Sequence, residues 1–480
     1  MKKLAESRFP KRPQYPIRIL QFGGGNFLRA FVDWMVDVLN EETNFAGDVA
    51  IVKPTERGDY QQLRQQDGLF HVVLNGFKAG AWVDEKRRIQ CIQRVVHPYK
   101  EWNRFLQLAE LPELRFIVSN TTEAGIEFKA EGLLSNIAPE TFPAKLTSWL
   151  HHRFQYFDAD PAKACIILPV ELVEQNGALL KACVLQYAQH WQLGTAFERW
   201  VEEQIFCNTL VDRIVSGYPQ ERAAAIEEEL EVRDALLVAG EYYHSWVIEA
   251  PPQARRELPF DQTDLNVQFV DDLEIHRQIK VRILNGAHTA MVPLGYLAGC
   301  KTVDEYMDNP QLRHFLEALI FQEIIPTIDH PPAALSAFAH AVLERFRNPS
   351  LRHQLLDIAL NSTSKFVTRL LPSLLVFCQQ NGVLPHNIVL AFAALLRFYQ
   401  GHWREEAIPL RDAPERIAFF TQCWQSPQTL DEKVAVMLGA SDIWGMDLNS
   451  IKGLRKSLVQ HLLRNKLTAT LFSNLTRGQK

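Results

Sequence analysis

The sequence predicts an α/β protein whose N-terminal part forms a parallel sheet with crossover helices and whose C-terminal part is mostly α-helical. Three observations predict this fold class. Apolar, strand-like runs alternate with helical stretches in the first half of the 480 residues, as in a chain of βαβ units. The strand signal fades from about residue 276, where long amphipathic stretches dominate. A glycine run near the N-terminus follows the first apolar run and opens a helical one, which indicates a strand-to-helix turn.

The first half contains strand-like and helical segments in alternation. Runs with apolar residues at consecutive positions, such as FIV and CIIL, are typical of strands that are covered on both faces. We therefore predict a sheet buried between two layers of helices. In chain order the alternating segments are IRILQF, NFLRAFVDWMVDVLN, DVAIVKP, RFIVSN, ACIILPV and GALLKACVLQYAQHW.

The second half shows helical periodicity instead. A chain of this length exceeds the size at which one hydrophobic core stays compact, so two domains are expected. The polar stretch PPQARRELPFDQTDLN precedes the change of pattern. We predict a sheet domain over residues 1–275 and a helical domain over residues 276–480. The clearest helical segments are QLRHFLEALIFQEIIPTI, LSAFAHAVLERF and LAFAALLRFYQGHW.

Composition and charge argue against several classes of function. A formal net charge of -5 gives no field that would concentrate nucleic acid or an anionic membrane surface, so we expect a small-molecule function. Seven scattered cysteines without a Cys-x-x-Cys pair indicate reduced thiols and no zinc site. No window approaches the ~18 apolar residues of a membrane span, and no apolar run follows the basic N-terminus. We expect a soluble, unprocessed cytoplasmic protein, either a monomer or a weak homo-oligomer.

The segment ILQFGGGNFLRAF holds the first candidate site. Gly23 and Gly25 lie between a strand and a helix, which is the setting of the dinucleotide-binding pattern G-x-G-x-x-G. Gly23 would permit the sharp turn, Gly25 would let a pyrophosphate approach the backbone, and the helix N-terminus would direct amide groups at it. Leu28 stands where the third glycine is expected. The motif alone therefore leaves a plain turn as the alternative.

The end of the second strand leaves the choice of dinucleotide open. A carboxylate about 20 residues after the glycines would hold the ribose hydroxyls of NAD, but no carboxylate stands at the strand tip. Glu56 or Asp59 would serve as a displaced ribose ligand, whereas Lys53 and Arg57 would equally well hold the 2′-phosphate of NADP.

The segment VDDLEIHRQIKVRILNGAHTAM holds the second candidate site. In an α-helix His288 would lie about 80° and Asn285 about 140° around the axis from Lys280, so all three would face one cleft. They supply a base, an amide donor for an oxyanion and an imidazole, which hydride transfer at a secondary alcohol needs. Lys280 would act as a base only if burial or a nearby cation lowers its pKa. The alternative is an amphipathic helix whose Lys280 is solvated.

Other catalytic patterns are absent from the sequence. No tyrosine begins a Tyr-x-x-x-Lys pair, and there is no Gly-x-Ser-x-Gly elbow and no Walker loop, which argues against short-chain dehydrogenases, serine hydrolases and P-loop NTPases. His151 and His152 lack the neighbouring ligands of a zinc site. We expect no metal.

Taken together, these segments resemble the polyol-specific long-chain dehydrogenase family. The family's Gly-x-Gly-x-Phe-x-Arg-Ala loop is matched by residues 23–30, and its Lys-x4-Asn-x2-His core by residues 280–288. The segment Val211-Asp212-Arg213-Ile214 and the run RFRNPSLRHQLLDIALNSTSKFVTRLLP are also similar. QFGGGNFLRAFVDW, SNTTEAG and ILNGAHTA look most like the members that reduce tagaturonate to altronate with NADH in hexuronate breakdown. Mannitol-type and fructuronate-type activities remain the alternatives within the family, and a sensor without catalysis is a further one.

The resemblance implies a Rossmann domain, a helical domain, NAD as cofactor and a small hexuronate substrate bound without metal. It implies Lys280 as general acid/base, Asn285 as oxyanion donor, His288 as substrate orienter and Asp212 as a polar site residue. The expected cofactor-binding residues are Phe22, Gly23, Gly24, Gly25, Asn26, Phe27, Thr122 and Glu123. The expected substrate-binding residues are Asn176, Arg282, Lys365 and Arg369.

Two positions depart from the pattern of the mannitol enzymes. Glu171-Leu172 stand where those enzymes have an Asp-Asn pair that supplies a second amide to the oxyanion, and Asn176 is the candidate replacement. Asp357 replaces an arginine of the C-terminal run. We therefore expect substrate contacts that differ from those of a mannitol enzyme.

Overall fold

The structure is a computed structural model that describes residues 2–4, 13–78, 80–133, 137–403 and 406–463. The chain divides into two compact units, Met1–Leu273 and Glu274–Lys480. The first unit contains a parallel sheet with helices and the second is mostly helical. The predicted fold class is thereby confirmed.

Six parallel strands form the main sheet within the described part of the first unit. Numbered along the chain, these strands lie in the order 3-2-1-4-5-6, which is that of a doubly wound dinucleotide-binding fold. The first strand is central, and its carboxyl end lies where the strand order reverses. In sheet order the strands are Ile92–Val96, Asp48–Val52, Ile17–Phe22, Phe116–Ser119, Ile166–Pro169 and Ile205–Phe206.

Both faces of this sheet are buried, as the continuous apolar runs predict. Phe116 and Val118 pack into one hydrophobic core and Ile117 into another, because successive side chains of a strand point to opposite faces. The α-helices and the π-helical turn of this unit are Asn26–Leu28, Arg29–Asp33 (π), Trp34–Glu42, Gln61–Gln65, Trp102–Gln107, Phe142–Tyr156, Asn176–His190, Thr195–Glu202, Ala223–Leu230 and Pro252–Glu257.

Smaller sheets, which the sequence analysis did not predict, complete the first unit. One contains the antiparallel hairpin Phe70–Lys78 and Ala81–Ile89, joined by Val238–Glu241 and Val215–Gly217. Another contains Asn208–Asp212, Ser245–Glu249 and Val267–Val270. The short strands Lys2–Lys3 and Val232–Arg233 pair in parallel.

The second unit packs its helices around Gly286–Ala298, in which 11 of the 13 residues are buried. Such all-round burial fits a central helix. The remaining helical segments are Glu274–Ile279, Lys280–Asn285 (π), Val303–Asp308, Pro310–Ala318, Leu319–Ile324 (π), Pro332–Phe346, Leu355–Ile358, Ser362–Arg369, Leu371–Asn381, His386–Phe398, Pro414–Gln425, Leu430–Leu438, Ser441–Trp444 and Leu454–Leu463. The strands His402–Trp403 and Glu406–Ala407 form a short antiparallel pair.

Among the described residues, no helix combines the length and the apolar character that crossing a membrane requires. The same residues contain no group of three or more His, Cys, Asp or Glu side chains placed to hold a metal ion.

Candidate active site

The glycine loop follows the central strand Ile17–Phe22 directly. Gly23 has a φ of +124°, and a Cβ atom there would lie 2.8 Å from Leu28 Cδ1, so this position requires glycine. Leu28, at the place of the expected third glycine, is buried and fills the space beside Gly23. Because Gly23 has no side chain, the Leu28 side chain can pack directly against its backbone. The helix therefore approaches the strand closely without a third glycine.

Gly24 and Gly25 differ in what surrounds them. The Gly24 amide donates a hydrogen bond to the Tyr60 hydroxyl at 2.8 Å, and a Cβ atom at Gly24 would contact the Tyr60 ring at 3.1 Å. A Cβ atom at Gly25 would meet no described protein atom within 4 Å. Gly25 precedes the first helical turn, whose amide groups have no partner within the helix. The open space lies where a pyrophosphate would approach.

Asn26 is held in place by two neighbours. The Arg29 guanidinium donates to Asn26 Oδ1 at 2.6 Å and to the Leu236 carbonyl. Gly217 has a φ of +85°, and a Cβ atom there would lie 2.8 Å from Asn26 Nδ2. Asn26 therefore keeps its Nδ2 donor group at the exposed start of the helix, whereas Arg29 is buried and fastens the turn.

The other predicted cofactor residues have different surroundings. The ring of Phe22 is buried against Phe105 and Phe142, and Phe27 stacks on Phe31 with ring centroids 4.9 Å apart. The side chain of Phe22 serves packing, so only its backbone would face a dinucleotide, whereas the ring of Phe27 is half-buried. Thr122 is exposed beyond the end of strand Phe116–Ser119. The side chain of Glu123 lies outside the described residues.

The tip of the second strand is organised by Tyr60. Lys53 Nζ donates to Thr55 Oγ1 at 3.0 Å and lies 5.1 Å from the centroid of the Tyr60 ring. Burial lowers the pKa of Lys53, and Asp59 partly offsets that effect. Glu56, Arg57 and Asp59 are exposed. This arrangement leaves the choice between NAD and NADP open, as the sequence did.

Asn176 does not face a ligand, and its predicted role in substrate binding is wrong. Its side chain is buried, and Nδ2 donates to the carbonyls of Pro169, Glu171 and Thr209 at 3.0, 3.0 and 3.1 Å. Oδ1 accepts from the Thr209 amide at 2.9 Å. Because every hydrogen-bonding group of this amide holds backbone, Asn176 fixes the loop and cannot replace the missing oxyanion donor.

Glu171 connects two strand ends of the main sheet. Its carboxylate accepts from Ser119 Oγ at 3.0 Å and from the Thr121 amide at 2.8 Å. Burial raises the pKa of Glu171, and these hydrogen bonds oppose the rise. In the sequence, Glu171 stands out only as a departure from the pattern of the mannitol enzymes. It positions the loop in which the predicted cofactor residue Thr122 lies.

Asp212 ends the strand Asn208–Asp212 of a smaller sheet and is half-buried. The next residue, Arg213, is buried and donates to the Ala30 carbonyl at 2.5 Å, in the helix after the glycine loop. Its guanidinium also lies 4.2 Å from the Trp34 ring centroid. Arg213 thus fixes the strand end that carries Asp212 to the helix that carries Asn26.

In the second unit, Lys280 and Asn285 bound a π-helical turn, Lys280–Asn285. The predicted separation of about 140° assumed an α-helix and is wrong, because a π turn closes between residues five apart and sets the fifth residue nearly above the first. Lys280 and Asn285 therefore share one face. Both are partly buried.

His288 lies one turn further, at the start of helix Gly286–Ala298, and is buried. Its ring packs against Phe346 with centroids 4.4 Å apart and an interplanar angle of 35°. The His353 ring meets it edge-on, with centroids 5.4 Å apart and an interplanar angle of 82°. These two rings fix the orientation of the His288 imidazole.

Arg369 and Lys365 lie on the helix Ser362–Arg369, one turn apart. Arg369 Nη1 lies 3.3 Å from Thr289 Oγ1 and 3.5 Å from the Asn285 carbonyl. Lys365 Nζ donates to the Ile358 carbonyl at 2.8 Å. Burial lowers the pKa of both side chains, that of Arg369 to about 10. Asp412 partly offsets the lowering of the pKa of Lys365, and its carboxylate lies 3.8 Å from Arg416 Nη1. Within the described part of the chain, no carboxylate lies within ion-pair distance of Lys365 or Arg369.

Arg282, the third predicted cation, has contacts of a different kind. It donates to Ser373 Oγ at 2.7 Å and to Thr327 Oγ1 at 2.8 Å. Its guanidinium connects two helical segments around the π turn. Arg277 is engaged by Glu274 on the same helix. Of the two arginines close to Lys280 in the sequence, Arg277 thus pairs with a carboxylate, whereas Arg282 donates to neutral hydroxyl groups.

Comparison with known proteins gives two family matches that together cover most of the chain. The mannitol dehydrogenase Rossmann domain matches residues 17–262, and the mannitol dehydrogenase C-terminal domain matches residues 272–465. Altronate oxidoreductase from Yersinia pestis bv. Antiqua (strain Nepal516) is 42% identical over 486 residues, covering 100% of this chain and 99% of the relative. Altronate oxidoreductase from Escherichia coli O7:K1 is 43% identical over 468 residues, covering 96% and 97%.

Solved structures share the fold at lower identity. Mannitol 2-dehydrogenase of Pseudomonas fluorescens, in a ternary complex with NAD and D-mannitol, has a TM-score of 0.65 and 21% identity and covers 97% of this chain and 95% of its own. A substrate-free D-sorbitol dehydrogenase has a TM-score of 0.75 and 19% identity, with 95% of each chain covered.

Proposed function

Because this chain belongs to the mannitol dehydrogenase family, we propose that it is a cytoplasmic, NAD-dependent reductase that converts tagaturonate to altronate, reversibly, in hexuronate breakdown. The name of its relatives at 42% and 43% identity, altronate oxidoreductase, supports this assignment. The match extends over nearly the full length of both chains. The oxidoreductase class, acting on CH–OH groups, follows from the family itself.

The observation that carries the choice of a uronate is the pair Lys365 and Arg369. Both cations are largely removed from water, and their hydrogen bonds go to neutral groups. A buried charge is costly unless an opposite charge accompanies it. Asn285, which Arg369 contacts through its carbonyl, belongs to the proposed catalytic set. Among the described residues, Asp412 is the one acidic group that acts on the pKa of Lys365, and burial alone acts on that of Arg369. A substrate carboxylate would supply a negative charge to both cations, which a ketose lacks.

The residues of the glycine loop fit a dinucleotide. Gly25 leaves room for a phosphate, Asn26 presents an amide donor, and the first helical turn adds backbone N–H groups. When bound, NADH would supply the hydride for the carbonyl carbon of the substrate. The cation Lys53 at the second strand would lie near the adenosine end, where the sequence and the structure leave NAD and NADP as alternatives.

We assign the proton chemistry to the second unit. Lys280 gives a proton to the substrate oxygen as the carbonyl becomes a hydroxyl, and takes it back in the reverse direction. Asn285 donates a hydrogen bond to the same oxygen while negative charge develops on it. The π turn brings these two side chains to one face, so that both reach one oxygen atom.

The remaining residues orient the substrate. His288 holds a substrate hydroxyl, and the rings of Phe346 and His353 keep its imidazole from turning. The family resemblance also implies Asp212, at the end of strand Asn208–Asp212, as a polar site residue. Lys365 and Arg369 bind the carboxylate, and Arg369 also contacts the backbone of the oxyanion donor.

The test is the loss of NADH absorbance with tagaturonate, fructuronate and fructose as substrates, each repeated with NADPH. We expect tagaturonate to give the highest kcat/KM, at least about a hundredfold above fructose, which corresponds to roughly 2.7 kcal/mol. A chain that reduces fructose as efficiently as tagaturonate would contradict the uronate assignment. A chain that binds NADH and oxidises it with none of the substrates would be a sensor instead.

A further inference from the structure

His353 is a residue of the second unit to which neither the family resemblance nor the predicted site assigned a role. Its ring contacts that of His288, so it borders the group that would orient the substrate. Its backbone is fixed on both sides: the His353 carbonyl accepts from the Val303 amide at 3.0 Å, and Gln354 forms a bridge with Thr302. Arg352, directly before it, has a φ of +42°.

That backbone geometry is unusual for an arginine. A non-glycine residue in the left-handed region is uncommon and strained, and it persists only where the surroundings hold it there. The turn at Arg352 delivers the His353 side chain toward His288 and away from solvent, with His353 half-buried. Such positions cluster at ligand-binding sites.

Burial and charged groups on three helices act on His353. Burial lowers its pKa most, and Arg345 on Pro332–Phe346 and Lys365 on Ser362–Arg369 lower it further. Asp357 on Leu355–Ile358 acts in the opposite direction, but its carboxylate lies 3.3 Å from Arg411 Nη1. His288 is the titratable group in direct ring contact. Burial and these cations therefore favour the neutral imidazole of His353 in the free protein.

Two cations, Lys365 and Arg369, lie near His353 and the start of the central helix. Arg369 touches Asn285 and Thr289, Lys365 lies one turn before Arg369, and His353 touches His288. Arg369 and His353 thus contact residues 285–289 from one neighbouring helix and one neighbouring turn. Lys365, on the same helix as Arg369, acts on the His353 imidazole through its charge. An anion bound there would face two permanent cations and one imidazole that can gain a proton.

We propose that His353 is a specificity-determining residue that donates a hydrogen bond to the substrate carboxylate and takes up a proton from solvent when that carboxylate binds. This inference rests on the proposed function, because it requires a uronate in the site. No covalent bond of the substrate changes: a ring nitrogen of His353 takes one proton from solvent, which forms an N–H bond, and the imidazole becomes a cation beside the carboxylate. Binding of the uronate is then linked to pH, whereas binding of a neutral ketose is not.

The sign of the linkage follows from the two states. A carboxylate raises the pKa of a neighbouring imidazole, so the complex binds more protons than the free protein between the two pKa values. The KM for tagaturonate should therefore fall as the pH decreases from about 7.5 to about 5.5. The uronate carboxyl, with an ordinary pKa near that of other carboxylic acids, stays ionised throughout this range.

The experiment measures kcat and KM for tagaturonate and fructose across this pH range, with saturating NADH, in the wild type and in His353→Gln. Glutamine keeps a donor but cannot gain a proton. We expect His353→Gln to raise the KM for tagaturonate about tenfold at pH 6 and to abolish its pH dependence. Loss of the ring beside His288 should change the kcat and the KM for fructose by a factor that is the same at every pH, so the KM for tagaturonate is compared with the KM for fructose at each pH. His314→Gln, at an exposed histidine of helix Pro310–Ala318, is the control.

A calorimetric measurement tests the proton directly and does not depend on turnover. Tagaturonate is titrated into the protein with NAD⁺, which cannot reduce it, in two buffers of different ionisation enthalpy at pH 6.5. The wild type should take up a fraction of a proton that His353→Gln lacks. A variant with wild-type proton uptake and a wild-type pH profile would overturn the role of His353. A wild type without any preference for tagaturonate over fructose would instead overturn the proposed function.

Discussion

Replacing Lys365 by methionine removes one positive charge beside the proposed carboxylate and keeps the length of the side chain. The lysine is half-buried and donates to the Ile358 carbonyl. A hydrogen bond between ionised groups contributes about 1.5–3 kcal/mol, which corresponds to roughly 10- to 150-fold in kcat/KM. We therefore expect the ratio of kcat/KM for tagaturonate over fructose to fall by that factor in Lys365→Met.

The ratio separates the carboxylate from the effect on folding. Loss of the bond to the Ile358 carbonyl costs about 0.5–1.5 kcal/mol of stability, and that loss affects both substrates alike. Lys433→Met is a matched control, because Lys433 Nζ also donates to a backbone carbonyl, that of Trp424, at 2.7 Å. The assay is NADH oxidation with both substrates at saturating cofactor. An unchanged ratio in Lys365→Met, with both variants folded, would refute the role of Lys365 in binding the carboxylate.

Four further substitutions test the site and its support. Lys280→Ala should lower kcat by a factor of roughly 10² to 10⁴, with little change in the Kd of NADH measured by fluorescence titration. A kcat above about a third of the wild-type value would show that Lys280 is not the general acid/base. Gly25→Val should weaken NADH binding without loss of stability, since a Cβ atom there meets no described protein atom within 4 Å. The control is Gly132→Val, at an equally open position, and an unchanged Kd of NADH in Gly25→Val would favour a plain turn. Asn176→Ala should lower the free energy of unfolding in urea by about 1–3 kcal/mol with kcat of the folded enzyme within about threefold, and a selective loss of kcat would restore Asn176 to the substrate site. Burial raises the pKa of Asp33 from 3.8 to about 8, so between these values the folded state holds a proton that the unfolded state has lost. Stability should therefore fall as the pH rises from about 4 to about 8. Asp33→Asn should make the fall in Tm over that range smaller, and a Tm profile identical to that of the wild type would contradict the raised pKa.

The parallel sheet was predictable because its strands are apolar at consecutive positions. The run FIV alternates between two cores in the structure, with Ile117 on one side and its neighbours on the other. The hairpin Phe70–Lys78 and Ala81–Ile89 was missed. Its second strand, AWVDEKRRI, is largely polar and only partly buried, so its sequence lacks the apolar run by which the buried strands were found. Its pairing with the first strand compensates for that weak local signal.

The candidate site was predictable where its residues lie close in the sequence. Lys280, Asn285 and His288 occupy one helical segment, so their spacing was sufficient to group them. The contact of Arg369 with Asn285 joins residues 84 positions apart, and nothing in either segment alone indicates it. Asn176 was misassigned because a sequence shows that an amide is present, but not that all of its hydrogen bonds go to backbone.

The π turn Lys280–Asn285 contains one residue more than an α-helical turn, so a change of chain length there has an unusual effect. If a single position between Lys280 and Asn285 is deleted, the segment can close as an ordinary helix in which these two residues are four positions apart. Four steps of about 100° set them about 40° apart, so both would still lie on one side of the helix. A deletion within the central helix Gly286–Ala298 would instead turn everything before it by about 100° relative to everything after it. Libraries that vary the length of the chain in this region should therefore place a one-residue deletion inside the π turn.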